Sequence, residues 1–161
     1  MKLSRLRLKN FRCYEEEICI DFSDFVVLIG RNDTGKSTIL DALAIFFEET
    51  KIEKDDACVS GNATDVRIIC EFENLPSEIV IDAQHPTSLE QEHLLNQNGR
   101  LEIHKVYNCS LKTPKVSTFA LCHHPSPPQY SDLLSLKRNE LRNRANQLGV
   151  SLDDVNQSIN T

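Results

Sequence analysis

Three features of the sequence predict an α/β fold. The stretch Phe25-Val26-Val27-Leu28-Ile29 is apolar at every position, as a central strand covered on both faces requires. Gly30 ends that run, and Lys36 to Glu49 then places Ile39, Leu40, Leu43, Ala44 and Phe47 on one helical stripe. On either side of this unit, shorter segments alternate apolar and polar residues in the manner of half-buried strands.

The alternating segments come in order along the chain. Lys2 to Lys9 sets Leu6 and Leu8 between Arg5, Arg7 and Lys9, and Glu17 to Phe22 puts Ile18, Ile20 and Phe22 on one face. Only the turn Asn10 to Glu16 separates them, so an antiparallel pair is expected. Lys51 to Asp65 is a polar connector, and Val66 to Phe72 alternates again. Pro76 is placed to open a short helix, and Ser88-Leu89-Glu90-Gln91 has the form of a capping box starting another, closing near Asn98-Gly99. Leu101 to Cys109 and Lys115 to Cys122 form a strand pair around Lys112-Thr113-Pro114.

His124-Pro125-Ser126-Pro127-Pro128 marks a boundary. Residues 1–124 are expected to form one lobe, and residues 125–161 a helical segment. Within the latter, Ser135 to Leu148 carries Leu136, Leu141, Ala145 and Leu148, with Gly149 as its C-cap. Ser151-Leu152-Asp153-Asp154 opens a further helix with an acidic first turn.

Bulk composition narrows the class. The chain has 161 residues, 40 % hydrophobic and 26 % charged, which suits a domain with a hydrophobic core. No apolar run approaches the length of a membrane span, and no apolar core follows the basic N-terminus to make a secretory signal. A cytoplasmic location is therefore expected. Cys13, Cys19, Cys58, Cys70, Cys109 and Cys122 are scattered and contain no CxxC pair, so reduced thiols are expected rather than a disulfide framework. Cys122-His123-His124 offers soft ligands, but a second pair at zinc-site spacing is missing. The net charge of −6 argues against a protein that coats nucleic acid.

The chemistry is carried by Gly30-Arg31-Asn32-Asp33-Thr34-Gly35-Lys36-Ser37, a full match to G-x-x-x-x-G-K-[ST]. With glycine at roughly 7 % of residues, a chance match in a chain of this length is expected in about one case in a hundred or fewer. Each fixed position has a task. Gly30 and Gly35 let the backbone curl until successive N–H groups face one anion. The helix starting at Lys36 adds its dipole. Lys36, the catalytic candidate, neutralises β- and γ-phosphates, the Ser37 hydroxyl coordinates Mg²⁺, and Thr38 is placed for the α-phosphate. The pattern implies ATP and Mg²⁺ as cofactors, and a P-loop NTPase fold.

The motif's surroundings carry a resemblance. Leu8-Lys9-Asn10-Phe11-Arg12, the acidic strand ending in Asp21-Phe22, and Val27 to Ser37 followed by Thr38-Ile39-Leu40-Asp41-Ala42-Leu43 resemble the head-domain start of RecF/SMC-type ABC ATPases. Arg31-Asn32-Asp33-Thr34-Gly35-Lys36-Ser37 with Thr38 to Leu43 is most similar to the OLD (overcoming lysogenization defect) family of ATP-dependent endonucleases. The likeness is close over roughly the first fifty residues, and Leu133 to Asn160 is loosely similar to a segment that family inserts later. The resemblance implies an ABC-ATPase-like N-terminal lobe with a mixed sheet around Phe25 to Ile29, an antiparallel β-subdomain and a C-terminal helical segment. It implies that Asn32 approaches the terminal phosphates and that Arg12 lies beside the nucleotide. It also implies a second ATPase head as partner, DNA as a target of the longer protein, and a role in phage defence or repair. Asp41 matches a common family position, but a pairing role on the helix surface fits it better.

Several parts of such a site are not found. Ile79-Val80-Ile81-Asp82 is the nearest apolar-Asp run, but Ala83 stands where a Walker B glutamate belongs. No LSGGQ-like string and no acidic cluster of a Toprim nuclease occurs. Gln129 is a Q-loop candidate in a Pro-rich stretch where a solvated glutamine is the commoner case. His85, His93 and His104 are isolated. Lys137, Arg138, Arg142 and Arg144 give the late helix a basic side, for which solvation is the commoner reading than a phosphate backbone. Nucleotide binding is thus expected from this chain and hydrolysis only with a longer or assembled protein. A RecF/SMC-like repair ATPase fragment and a noncatalytic nucleotide-binding interaction module stand as alternatives.

Overall fold

The structure, a computed structural model, describes residues 1–30, 35–82, 85–123 and 136–150. The chain divides into two compact units, Met1–His124 and Pro125–Thr161.

In the first unit, five strands form one sheet: β1 (Lys2–Lys9), β2 (Ile18–Asp21), β3 (Val66–Glu73), β6 (Leu101–Asn108) and β7 (Lys115–Leu121). Their order is β2-β1-β3-β6-β7, and each neighbouring pair is antiparallel. A separate two-stranded ribbon pairs β4 (Ile79–Asp82) with β5 (His85–Thr87).

Register explains why the sheet has one oily and one charged face. Leu6 pairs with Cys70, which pairs with Ile103, and Leu8 pairs with Ile68. One residue along, Arg5 lies opposite Glu71, and Glu71 opposite Glu102. Because side chains alternate across a strand, the first set faces helix α1 (Lys36–Phe46). Leu6, Leu8, Val66, Ile68, Cys70, Phe72 and Tyr107 pack there against Ile39, Ala42, Ile45 and Phe46. The opposite face holds an ion-pair lattice. Buried Glu71 and Glu102 share the Asn96 side-chain amide, which donates to both at 3.0 Å. Arg5 lies 3.6 Å and Arg100 3.5 Å from Glu71, while Arg7 and His104 reach Glu102.

The α/β class and the two strand pairs appear as the sequence predicts. Phe25 to Ile29 does not: these residues form no strand. Phe25 is 81 % and Ile29 91 % exposed, and only Leu28 packs against the core. A strand needs a neighbour to satisfy its backbone groups, and among the described residues none lies beside this segment. The expected mixed sheet is accordingly antiparallel throughout its described pairs.

The helix stripe is also rotated from expectation. Ile39, Ala42, Ile45 and Phe46 are buried, whereas Leu40 is 62 % and Phe47 51 % exposed. α1 is apolar over more than one face, and the sheet selects one of them.

Pro76 opens no helix, and Ser88 to His93 forms hydrogen-bonded turns. The Ser88 hydroxyl does accept the Gln91 N–H at 3.1 Å, but the local bond does not propagate. Glycine 99, at φ 70°, turns the chain into β6.

The second unit contains helix α2 (Arg138–Gln147), with no residue buried. The Glu140 carboxylate caps it by accepting the Lys137 N–H at 2.7 Å, and Gly149 follows its end at φ 67°. The His124–Pro128 boundary, Gln129 and the helix expected from Ser151 lie outside the described residues. Among the described residues no helix is long and apolar enough to cross a membrane.

Candidate functional site

The β1–β2 turn, the start of α1 and the connector after α1 converge at one end of the lobe. Gly30 precedes the loop, Arg31, Asn32, Asp33 and Thr34 lie outside the described residues, and Gly35 is the N-cap of α1. Gly35 has φ 85° and ψ 7°, the left-handed region that L side chains adopt only at a cost. A Cβ there would sit 2.8 Å from the Tyr14 Cζ and 3.0 Å from the Cys13 Sγ. The left-handed conformation demands glycine, and a larger residue would also have to displace the Tyr14 ring end and the Cys13 thiol.

The helix end is prepared for an anion. Among the described residues no side chain caps α1 at its N-terminus, and no acidic residue occupies its first turn. Its leading N–H groups and positive dipole end are unopposed by any nearby carboxylate in that turn. Lys36 lies at the same place and its Nζ donates to the Gly30 carbonyl at 2.7 Å, spanning the loop. Ser37 is exposed and Thr38 buried, so Ser37 has the accessible hydroxyl of the two. Gly30, Gly35, Lys36 and Ser37 thus fit a phosphate chain with its metal. Lys36 would balance phosphate charge and Ser37 would hold Mg²⁺, which supplies electrostatic stabilisation of the phosphoryl oxygens when bound.

The turn beside it is tied into the fold by hydrogen bonds. Asn10 and Arg12 have φ 54° and 47°, uncommon for residues with side chains. Phe11, wholly buried, exchanges backbone hydrogen bonds with Tyr14 at 2.9 and 2.8 Å. The Asn10 amide donates to the Asp65 carbonyl at 2.8 Å and accepts the Asn62 N–H at 3.2 Å. The strain of the turn is thereby held by contacts on three sides.

Arg12 points to α1. Its Nε donates to Asp56 at 2.8 Å and its Nη1 pairs with Asp41. Burial works against the guanidinium's charge, but the bonds to Asp56 and Asp41 outweigh it and hold the pKa above the ordinary value. Nη2 takes part in neither of these two bonds. Asp41 has the pairing role the sequence suggests. Asp56 and Tyr14 were not distinguished by sequence: Asp56 sits in an acidic connector, and nothing in a turn's composition reveals which side chain reaches across. The Tyr14 hydroxyl donates to the Gly35 carbonyl at 3.2 Å.

Other candidates lie elsewhere. His104 is on the charged face of the sheet, 2.8 Å from Glu102. Asp82 ends a strand of the separate ribbon rather than of the main sheet. Among the described residues no group of three His, Cys, Asp or Glu side chains is placed to hold a metal ion. All six cysteines are free thiols.

A glycine-bounded loop, a helix start at a left-handed glycine followed by a lysine, and a sheet beneath it define the lobe of a P-loop ATPase. The chain belongs to the AAA_15 family, AAA ATPase domain, whose profile matches residues 1–161. It is 31 % identical over 87 residues to the DNA double-strand break repair Rad50 ATPase of Pyrococcus abyssi (strain GE5 / Orsay), a match covering 50 % of this chain and 10 % of that protein. Among solved structures, the SMC head domain from Thermotoga maritima aligns with TM-score 0.48 and 17 % identity, over 77 % of this chain and 39 % of that one. The chain therefore spans a small part of these relatives. The ATPase family and the Rad50 relative agree with the coarser part of the resemblance, an ABC-type ATPase of the RecF/SMC kind.

Proposed function

We propose that residues 1–124 are the ATP-binding lobe of an OLD-like ATPase that acts on DNA in phage defence or repair, and that residues 125–161 begin a helical arm or insertion. The carrying observation is the end of α1: left-handed Gly35 as its N-cap and the Lys36 Nζ bonded to the Gly30 carbonyl at 2.7 Å. In this reading Gly30, Arg31, Asn32, Asp33, Thr34 and Gly35 wrap the phosphates, and Lys36 and Thr38 contact them. Ser37 holds Mg²⁺, and Arg12 flanks the nucleotide.

Hydrolysis belongs to a larger assembly in this proposal. Asp82 stands on a two-stranded ribbon and not on a strand of the five-stranded sheet, and Ala83 follows it. The exposed Phe25 to Ile29 segment and Leu40 support completion by further sheet and by a second ATPase head. A cytoplasmic setting goes with this reading.

The match to a Rad50 ATPase favours a second reading, a repair ATPase without a nuclease module of its own. The gene that encodes the chain separates the two: an adjoining Toprim-like segment supports the first, and a long coiled coil the second.

The decisive experiment is a Mg²⁺-ATP binding titration of the wild type and Lys36→Ala. Loss of binding in the variant is expected, and equal affinity would remove the basis of the proposal. Binding without turnover by the isolated chain is also expected. Substantial Mg²⁺-dependent turnover by the monomer would overturn the assignment of hydrolysis to a larger assembly.

A further inference from the structure

We propose that Tyr14 is a positioning residue for the phosphate-binding end of α1, an inference that rests on the nucleotide reading above. The Gly35 carbonyl accepts two hydrogen bonds, from the Ile39 N–H at 3.2 Å and from the Tyr14 hydroxyl at 3.2 Å. The first is an ordinary helical bond. The second comes from a different element, the β1–β2 turn.

Its consequence follows from peptide geometry. In a planar trans peptide the carbonyl and the next N–H point in opposite directions. A carbonyl of Gly35 drawn toward Tyr14 turns the Lys36 N–H away from the turn, toward the open end of the helix. That N–H is among those a phosphate would use. Tyr14 also occupies the space where a side chain on residue 35 would go, so the same ring enforces glycine and fixes the plane of its peptide.

Tyr14 itself is not free to drift. Its backbone N–H donates to the Phe11 carbonyl at 2.8 Å, and its carbonyl accepts the Phe11 N–H at 2.9 Å. Phe11 is anchored in the core, and Arg12 ties the turn to α1 and to Asp56. The hydroxyl is therefore presented to Gly35 by a preorganised frame. Partial burial raises the pKa of the phenol, so it remains a donor at neutral pH.

Tyr14→Phe keeps the ring and removes only the hydroxyl. Titrate wild type, Tyr14→Phe and Lys36→Ala with Mg²⁺-ATP and with inorganic tripolyphosphate, and record urea unfolding of each protein. Expected for Tyr14→Phe is a loss of affinity of roughly threefold to tenfold, the scale of one hydrogen bond. The loss should be the same for both ligands, because it acts at the phosphate end, and the urea curve should show the variant still folded under the titration conditions. Wild-type affinity in Tyr14→Phe, with binding lost in Lys36→Ala, overturns the role of Tyr14 alone. An affinity loss accounted for by the unfolded fraction of the variant, or a loss seen with ATP and not with tripolyphosphate, also overturns it. Equal affinity of wild type and Lys36→Ala instead removes the nucleotide reading on which it rests.

Discussion

Arg12 in the β1–β2 turn is ion-paired with Asp41 on the second turn of α1, and its Nε is bound at the same time by Asp56 at 2.8 Å. One guanidinium thus joins a strand turn, a helix and a connector. The two carboxylates differ in what they lose if Arg12 is removed. Asp41 is about half exposed and is solvated in its absence, whereas the Asp56 side chain is 10 % exposed. Arg12→Ala should destabilise the lobe by about 1–3 kcal/mol, chiefly through the buried carboxylate. Asp41→Ala should cost less than about 1 kcal/mol, as exposed pairs do. Urea denaturation of both variants checks the order, and equal costs would show that Asp56 does not depend on Arg12.

Gly35 and Tyr14 give a second prediction, on stability. Gly35→Ala must place a Cβ at φ 85° against the Tyr14 ring. Left-handed strain alone is worth about 1–2 kcal/mol, and the clash adds to it. Tyr14→Ala should remove the clash but leave the strain. The double variant Gly35→Ala/Tyr14→Ala should therefore be less damaged than the sum of its single changes. Simple additivity in denaturant melts would mean that the ring does not restrict residue 35.

The sheet was legible in sequence because alternation is a local signal. Leu6 and Leu8, Ile18 and Ile20, and Ile68 and Cys70 each declare a face without reference to anything distant. The phosphate loop was legible for a similar reason, since its fixed residues are contiguous. Phe25 to Ile29 and the stripe of α1 were not, because both depend on what covers them. A run that is apolar on every residue states that both faces suit burial, not that a neighbouring strand is present. Likewise Ile39 and Leu40 are equally apolar, and only the position of the sheet decides that one is buried and the other exposed. Asp56 and Tyr14 escaped notice because their partners lie 44 and 21 residues away, a relation that no spacing rule encodes.

Burial of Cys70 makes stability fall in alkali. The thiol is fully enclosed, and burial pushes its pKa from 9.0 up to about 12, with nearby Lys105 opposing the shift. Above pH 9 the unfolded chain releases a proton that the folded chain retains, so the free energy of unfolding falls as pH rises. The contribution is complete below pH 9 and is lost progressively toward pH 12. Cys109, pushed by burial to about 11, acts in the same direction. Between pH 9 and 10.5 the loss attributable to Cys70 should be about 1.5 kcal/mol, since each unit of pKa difference is worth about 1.4 kcal/mol and the unfolded thiol is half ionised at pH 9. Cys70→Ala should be less stable at pH 7 but show a shallower decline of the urea midpoint over that interval. Parallel pH curves for the two proteins would contradict this.

The exposed apolar residues should behave as surface, not core. Phe25→Ser and Leu40→Ser remove side chains that are mostly in solvent, and each should change unfolding free energy by no more than about 0.5 kcal/mol. Leu6→Ala, at a fully buried position of β1, should cost about 2–5 kcal/mol. Hydrogen exchange tests the same point on the backbone. Amides of Val26 to Ile29 have no ladder partner among the described residues, so they should exchange far faster than those of Leu8 or Ile68, which lie in paired strands. If 26–29 instead showed protection equal to β1 in the isolated chain, the segment would be a paired strand after all. If protection arose only when a second head and Mg²⁺-ATP were added, the proposed completion of this lobe from outside would gain direct support. A loss of that protection in Phe25→Ser would place the contact on the exposed segment itself.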